Sequence, residues 1–123
     1  MATYIVLYKF TADGAKTIRE SVKRTGRIRQ DNARRGFKVM DVFWTQGPYD
    51  MVAIVDAPTE EAMMGAMMNV VSAGNVSSTT MRAFDAPAMS RILATVPSLE
   101  DERAPAKKSA AKGARAPKKA SGR

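Results

Sequence analysis

The chain has 123 residues with a hydrophobic fraction of 45%, which allows one domain with a globular core. It contains neither cysteine nor histidine, which excludes disulfides, thiolate nucleophiles, catalytic triads that use histidine, and metal sites built from His or Cys within one chain. The formal net charge is +8, and most of the excess lies in residues 99–123, which hold eight Lys and Arg against three Asp and Glu.

The first predicted element is a strand over residues 3–10. One of its faces carries Tyr4, Val6, Tyr8 and Phe10, and the other carries Ile5 and Leu7. A strand with one face toward water alternates apolar and polar residues instead. We therefore expect both faces of this strand to be covered.

A long helix is predicted next, from cap-type residues at positions 11–14 to about Arg35, with Gly36 just after its end. Apolar spacing predicts a buried stripe made of Ala15, Ile18, Val22 and Thr25. The spacing fails beyond Thr25, so we expect a bend near Gly26. Alternating charges on the other side predict a solvated, ion-paired face or, alternatively, a basic surface for a partner.

Two further strands are predicted over residues 37–44 and 51–57, joined by a turn rich in turn-forming residues. A second helix follows, begun by Pro58 and Thr59 and ending before Gly74. Its apolar surface is unusually rich in methionine, at Met63, Met64, Met67 and Met68. Such a surface is typical either of ordinary core packing or of an adaptable groove for a partner.

A fourth strand over residues 76–84 and a short helix begun by Asp85 and Pro87 complete the folded part. The order strand, helix, strand, strand, helix, strand predicts an α+β fold, the ferredoxin-like βαββαβ sandwich with a four-stranded antiparallel sheet. Two helices cover one face of such a sheet. A second copy of the chain is the economical cover for the other face, so we expect a homo-oligomer, a dimer or larger.

The remaining residues, 99–123, show no apolar period and are predicted to form a disordered basic tail, separate from a folded domain over residues 1–98. Positions 104–123 have seven cations and no acid: Lys107, Lys108, Lys112, Arg115, Lys118, Lys119 and Arg123. Such a polycation can bind phosphate backbones without reading sequence. The alternatives are a tail that only aids solubility and one that meets a membrane surface.

Four separated blocks resemble the GYD domain family of small bacterial proteins over roughly residues 2–94. They are residues 3–11, the turn Trp44-Thr45-Gln46-Gly47-Pro48-Tyr49-Asp50, residues 74–76 and residues 82–84. A Gly, a Tyr and an Asp between the second and third strands give that family its name, and Gly47, Tyr49 and Asp50 match them here. The resemblance implies a dimeric α/β-barrel protein with no assigned activity.

The turn between the second and third strands has two interpretations. In the structural one, Gly47 relieves backbone strain, Tyr49 covers a strand end and Asp50 caps free amides. In the functional one, a small pocket forms between the sheet and its oligomeric partner. Its candidate residues are Tyr8, Trp44, Gly47, Tyr49, Asp50 and Arg82.

These observations favour a non-enzymatic oligomeric binding or scaffold domain. The alternative is a small-molecule sensor or a cofactor-independent enzyme that uses the pocket near Tyr49 and Asp50. No catalytic residue, cofactor or metal site is predicted. The N-terminal residues lack the features of a signal peptide and no apolar run approaches about 18 residues, so a cytoplasmic protein without a transmembrane segment is expected.

Overall fold

The computed structural model describes residues 1–98. The predicted tail and its seven cations lie outside the described residues. The chain divides into two units, one spanning residues 1–83 and one that begins at Phe84. Each unit is described by itself.

The first unit contains a single sheet and the helices that connect its strands. The elements are β1 (Ala2–Phe10), α1 (Ala12–Lys16), a 3₁₀ turn (Ile18–Glu20), α2 (Ser21–Arg34), β2 (Lys38–Trp44), β3 (Met51–Ala57), α3 (Glu60–Ser72) and β4 (Val76–Ala83). The strands are antiparallel and lie in the order β2-β3-β1-β4. This arrangement confirms the predicted α+β, ferredoxin-like fold. The second unit contains one short helix, α4 (Ala86–Leu93).

Three helices begin at the cap residues that the sequence indicates. The hydroxyl of Thr11 accepts a hydrogen bond from the Gly14 N–H at 3.1 Å. The hydroxyl of Thr59 does the same for Ala62, and the carboxylate of Asp85 does so for Ala88. Each side chain thereby satisfies an amide that has no partner inside its own helix.

The hydrophobic core lies on one face of the sheet, which we call the helix side. Alternate residues of β3 from Met51 to Ala57 are buried, as the two-residue period of a strand requires. Tyr4 and Val6 of β1 and Met63 of α3 complete the centre of the core. The core is therefore built mainly by the two central strands and the inner face of α3.

The opposite face of the sheet is also apolar, as predicted. The strand register places Ile5 opposite both Ile54 and Met81, and it places Val52 opposite both Leu7 and Phe43. We call these six residues the apolar sheet face. Phe43 is 54% exposed and Met81 is also exposed, while the other four are half-buried. A contiguous, partly exposed apolar patch is typical of a surface that packs against another molecule.

The prediction of one continuous helix over residues 11–35 is wrong. The helix stops at Thr17, a 3₁₀ turn intervenes, and α2 then continues through Gly26 without a break. Because a 3₁₀ turn has fewer residues per turn than an α-helix, it rotates the faces of the following helix. Ser21 is buried as a result, and Val22, predicted to be buried, is 69% exposed.

The end of β1 is clamped to the start of β4. The Thr11 N–H donates to the Asn75 carbonyl at 3.1 Å, and the Thr11 hydroxyl donates to the Gly74 carbonyl at 2.6 Å. Gly14 is buried directly against the same segment, and a Cβ atom added to it would lie 1.9 Å from the Asn75 carbonyl oxygen. The absence of a side chain at Gly14 is therefore what lets α1 approach β4.

Candidate functional site

Asp50 joins the turn between β2 and β3 to the end of β1. Its N–H donates to the Tyr8 carbonyl at 2.8 Å, and its carboxylate accepts a hydrogen bond from the Phe10 N–H at 2.8 Å. Its carbonyl accepts the Thr45 N–H, also at 2.8 Å. One residue thus satisfies backbone groups on two strands at the point where their regular pairing stops.

The other residues of the turn pack locally. The Thr45 hydroxyl donates to the Tyr49 carbonyl at 2.7 Å, and the Lys9 ammonium lies 5.5 Å from the centre of the Tyr49 ring. That distance is within the range of a cation–π contact. Gly47 has a φ of +116°, a backbone conformation that residues other than glycine rarely adopt. Gly47 thus allows the backbone of the turn to adopt a positive φ, and Tyr49 packs against Lys9.

The side chains of Trp44 and Arg82 have partners outside the turn. The Trp44 indole N–H donates to the Ser21 hydroxyl of α2 at 2.9 Å. The Arg82 guanidinium lies 5.6 Å from the Tyr4 ring and donates to the Thr3 carbonyl at 3.1 Å. Asp50 and Tyr8 meet through their backbones, whereas Trp44 and Arg82 each have another partner. The pocket predicted around the six residues stays a prediction.

A cavity of about 90 Å³ lies on the helix side of the sheet, between α2, α3 and the strands. Of the six candidate residues, Tyr8 lines it and the other five do not. The sheet and α3 contribute apolar walls, including Val55, Met63 and Met67. A cavity holds one water in roughly 10–15 Å³ by the same measure, so this space is several times larger than a single water requires.

The wall that α2 contributes is polar, in contrast to the others. Its lining residues are Ser21, Arg24, Thr25, Ile28, Arg29 and Asn32, of which Ile28 alone is apolar. These positions recur at three- and four-residue spacing and so share one helix face. Apolar spacing does not reveal this face, because five of its six residues are polar. The signal available in the sequence is the polar stripe itself, at three- and four-residue spacing along this helix.

Two arginines on that wall differ in their partners. The Arg29 guanidinium donates to the Val39 and Met40 carbonyls, at 2.7 and 3.2 Å, beside the bulge in β2. The Arg24 guanidinium donates to the Thr17 hydroxyl at 3.1 Å through one terminal nitrogen. Its other terminal nitrogen, Nη2, is buried and has no hydrogen-bond partner among the described residues.

Tyr8 faces the cavity from β1. Burial raises the pKa of its hydroxyl to about 12, because the charged phenolate is poorly solvated there. The hydroxyl therefore stays protonated at neutral pH and can donate a hydrogen bond. Within residues 1–98, no three His, Cys, Asp or Glu side chains cluster in a way that could hold a metal ion.

A second feature lies on the outer surface of α3. Met64 is 60% exposed and Met68 is 52% exposed, and the exposed Val71 follows at the next position of the same helix face. We call these three residues the methionine face. Met63 is buried and Met67 is half-buried, so the predicted methionine-rich surface divides between the core and the exterior.

Among residues 1–98, no helix has both the length and the apolar character needed to cross a membrane. Three features of the described residues are candidates for a function. They are the cavity, the apolar sheet face and the methionine face.

Comparison with known proteins gives consistent matches over the folded region. The GYD domain model matches residues 4–93. The "Glutamine synthetase and cystathionine beta-lyase binding protein" of Thermus thermophilus is 34% identical over 84 residues, which are 68% of this chain and 88% of that protein.

Two solved structures are also similar. The crystal structure of MtbAldR has a TM-score of 0.55 at 18% identity, over 68% of this chain and 53% of that chain, so this chain spans about half of its length. The crystal structure of TTHA0845 from Thermus thermophilus has a TM-score of 0.47 at 25% identity, over 70% of this chain and 96% of that chain. The first likeness shows the fold alone.

Proposed function

This chain belongs to the GYD domain family, and on that premise we propose that it is a non-enzymatic, cytoplasmic, homo-oligomeric module that binds partner proteins. The relative is named for two such partners, glutamine synthetase and cystathionine beta-lyase. Enzymes of this kind are the partners that we propose for the present chain.

The methionine face is the observation that carries this proposal. Its three apolar side chains lie on one face of a regular helix and have no covering element in their own unit. Methionine side chains are flexible and polarisable, which suits them to the irregular surface of another protein. An apolar helix face laid into a groove is a recurring mode of protein recognition.

The apolar sheet face is proposed to bind a second copy of the chain. Its apolar residues are concentrated on the two central strands, where a sheet from a second copy would pack. Thr3 donates to the Asp56 carboxylate at 2.5 Å at one end of the face, so polar groups there are paired with each other. Self-association through this face leaves α3 free for a partner.

Loss of the methionine face should weaken partner binding. In the double variant Met64→Gln, Met68→Gln, affinity for glutamine synthetase or cystathionine beta-lyase of the same organism should fall at least about tenfold, because roughly 1.4 kcal/mol of apolar contact is removed. Isothermal titration calorimetry measures this change. The matched control is Met89→Gln on α4, an exposed methionine outside the face, which should bind as the unaltered protein does. Equal affinity of the double variant would reject the methionine face as the docking surface.

The basic tail supports a second, independent proposal of weak association with nucleic acid or another polyanion. The support is its charge alone, seven cations and no acid over residues 104–123. Full-length protein should bind duplex DNA without sequence preference and lose affinity by roughly 10³-fold between about 50 and 200 mM salt. Deletion after residue 98 should remove most of this binding, as fluorescence anisotropy would measure. Equal binding by the truncated protein would move the site to the arginines of α2.

The alternative of a sensor or cofactor-independent enzyme centred on Tyr49 and Asp50 remains a prediction from the sequence. The contacts of the Asp50 carboxylate support the structural interpretation of the turn, since the Phe10 amide already occupies one of its oxygens.

A further inference from the structure

The cavity between α2, α3 and the sheet is chemically divided. Its apolar side is formed by strand residues and by α3, including Val55, Met63 and Met67, and its polar side is formed by α2. A void that only resulted from imperfect packing would be apolar on all sides. Here a helix instead turns a polar face toward the sheet, so polar side chains border the same space as the apolar strand residues.

Arg24 lies on the polar side of the cavity, and its guanidinium is incompletely paired. Its Nη2 nitrogen is buried without a hydrogen-bond partner among the described residues, while Nη1 is held by Thr17 at 3.1 Å. Leaving a buried donor of a charged group unpaired is costly, and an oxygen of an anion would remove that cost.

The charge of the lining favours an anion over a cation. Arg24 and Arg29 both line the cavity, and no Asp or Glu is among the lining residues. Arg29 donates to two neutral carbonyls, so its positive charge is not cancelled. Tyr8 adds a neutral hydroxyl on the sheet side, and that hydroxyl makes no hydrogen bond to another described residue.

We propose that this cavity binds a small monocarboxylate with a branched or linear apolar body, its carboxylate accepting hydrogen bonds from Arg24 and its apolar body lying against the sheet and α3. The cavity volume of about 90 Å³ corresponds to roughly six to nine water-sized volumes, the scale of a ligand with a similar number of non-hydrogen atoms. The site goes beyond partner binding and does not depend on it, since none of the methionine face lines the cavity.

The proposal predicts a definite order of affinity among three molecules with the same carbon skeleton. Isocaproate has the carboxylate and the apolar body. Isocaproamide lacks the negative charge, and leucine adds an ammonium group for which the lining has no acidic partner. Isocaproate should therefore bind at least about tenfold more tightly than either of the others, because an Arg–carboxylate hydrogen bond is stronger than a neutral one and an unpaired ammonium disfavours entry.

The test is a titration of the full chain with each molecule, in which binding is measured by isothermal calorimetry and by changes in amide chemical shifts. Arg24→Met should weaken isocaproate at least about tenfold and leave the thermal midpoint unchanged or higher, because it removes a buried unpaired donor. Arg27→Met, the same change at an exposed position of the same helix that does not line the cavity, should bind as the unaltered protein does. Tyr8→Phe should weaken binding by about threefold.

Several results would overturn the proposal. They are no binding of isocaproate at millimolar concentration, equal binding of isocaproamide or leucine, and equal binding by Arg24→Met. The ligand series uses the unaltered protein, so it decides the question even if Arg24→Met does not fold. No partner protein is present in this experiment, so its result is separate from that of the docking experiment.

Discussion

The variant Gly14→Ala is expected to lower the free energy of unfolding by about 3 kcal/mol, a large share of the roughly 5–15 kcal/mol typical of a domain. A Cβ atom at this position would lie 1.9 Å from the Asn75 carbonyl oxygen. That oxygen is held in place by the Thr11 N–H, so the clash can be relieved only by moving the backbone. In a helix, alanine is otherwise more stable than glycine by about 0.5–1 kcal/mol. The close approach to Asn75 is therefore the reason that Gly14→Ala should lower the stability and not raise it.

The matched controls are Gly26→Ala in α2 and Gly65→Ala in α3. Nothing lies within 4 Å of a Cβ atom built at either position, so both variants should be as stable as the unaltered protein or more stable by up to about 1 kcal/mol. Chemical denaturation measures all three. If Gly14→Ala unfolded at the same denaturant concentration as the controls, the clamp between β1 and β4 would not be a close-packed contact.

The double variant Phe43→Lys, Met81→Lys is expected to convert a homodimer into a monomer. Both side chains are exposed in the isolated fold, so the changes should have little effect on the monomer itself. In a dimer packed through the apolar sheet face they would bury unpaired ammonium groups at a cost of several kcal/mol. The dissociation constant should therefore rise by at least about 10³-fold, since each 1.4 kcal/mol is a factor of ten.

Sedimentation velocity of the full chain measures this change, with circular dichroism to show that the fold is kept. Val22→Lys is the control, because Val22 is an exposed apolar residue of α2 and lies outside the apolar sheet face. It should sediment as the unaltered protein does. A monomeric unaltered protein at micromolar concentration, or a double variant that stays dimeric, would contradict self-association through the sheet.

The fold could be predicted because its signals are local. The cap residues Thr11, Thr59 and Asp85 lie at helix starts, and a helix cap depends only on residues three positions apart. The two-residue burial period of β3 is similarly visible within seven residues. The element order β1-helix-β2-β3-helix-β4 then predicts the antiparallel sheet, because that order is typical of the ferredoxin-like fold.

The face that α2 turns toward the sheet could not be predicted in the same way. Its orientation depends on the single 3₁₀ turn at Ile18–Glu20, which shifts the helical phase and has no strong sequence signal. The residues that then face inward include Ser21, Arg24 and Asn32, so apolar spacing indicates the wrong face of the helix. The cavity was missed for that reason.

The contacts of the turn depend on long-range geometry. The Asp50 carboxylate meets the amide of Phe10, 40 positions earlier in the chain. The turn pattern suggested that Asp50 caps an amide but offered no means of identifying which one. Tyr8 is a predicted site residue that lines a cavity, but this cavity lies on the helix side of the sheet.

Partner docking through α3 is tested most directly by methyl NMR of the full chain with isotope-labelled methionines, titrated with glutamine synthetase of the same organism. The chain has 9 methionines, which report on the core, the sheet and α4 in one spectrum. We expect the methyl signals of Met64 and Met68 to shift or lose intensity first, while those of the buried Met63 and of Met81 on the apolar sheet face change least. Unchanged signals from Met64 and Met68 under conditions where the enzyme is bound would contradict the account.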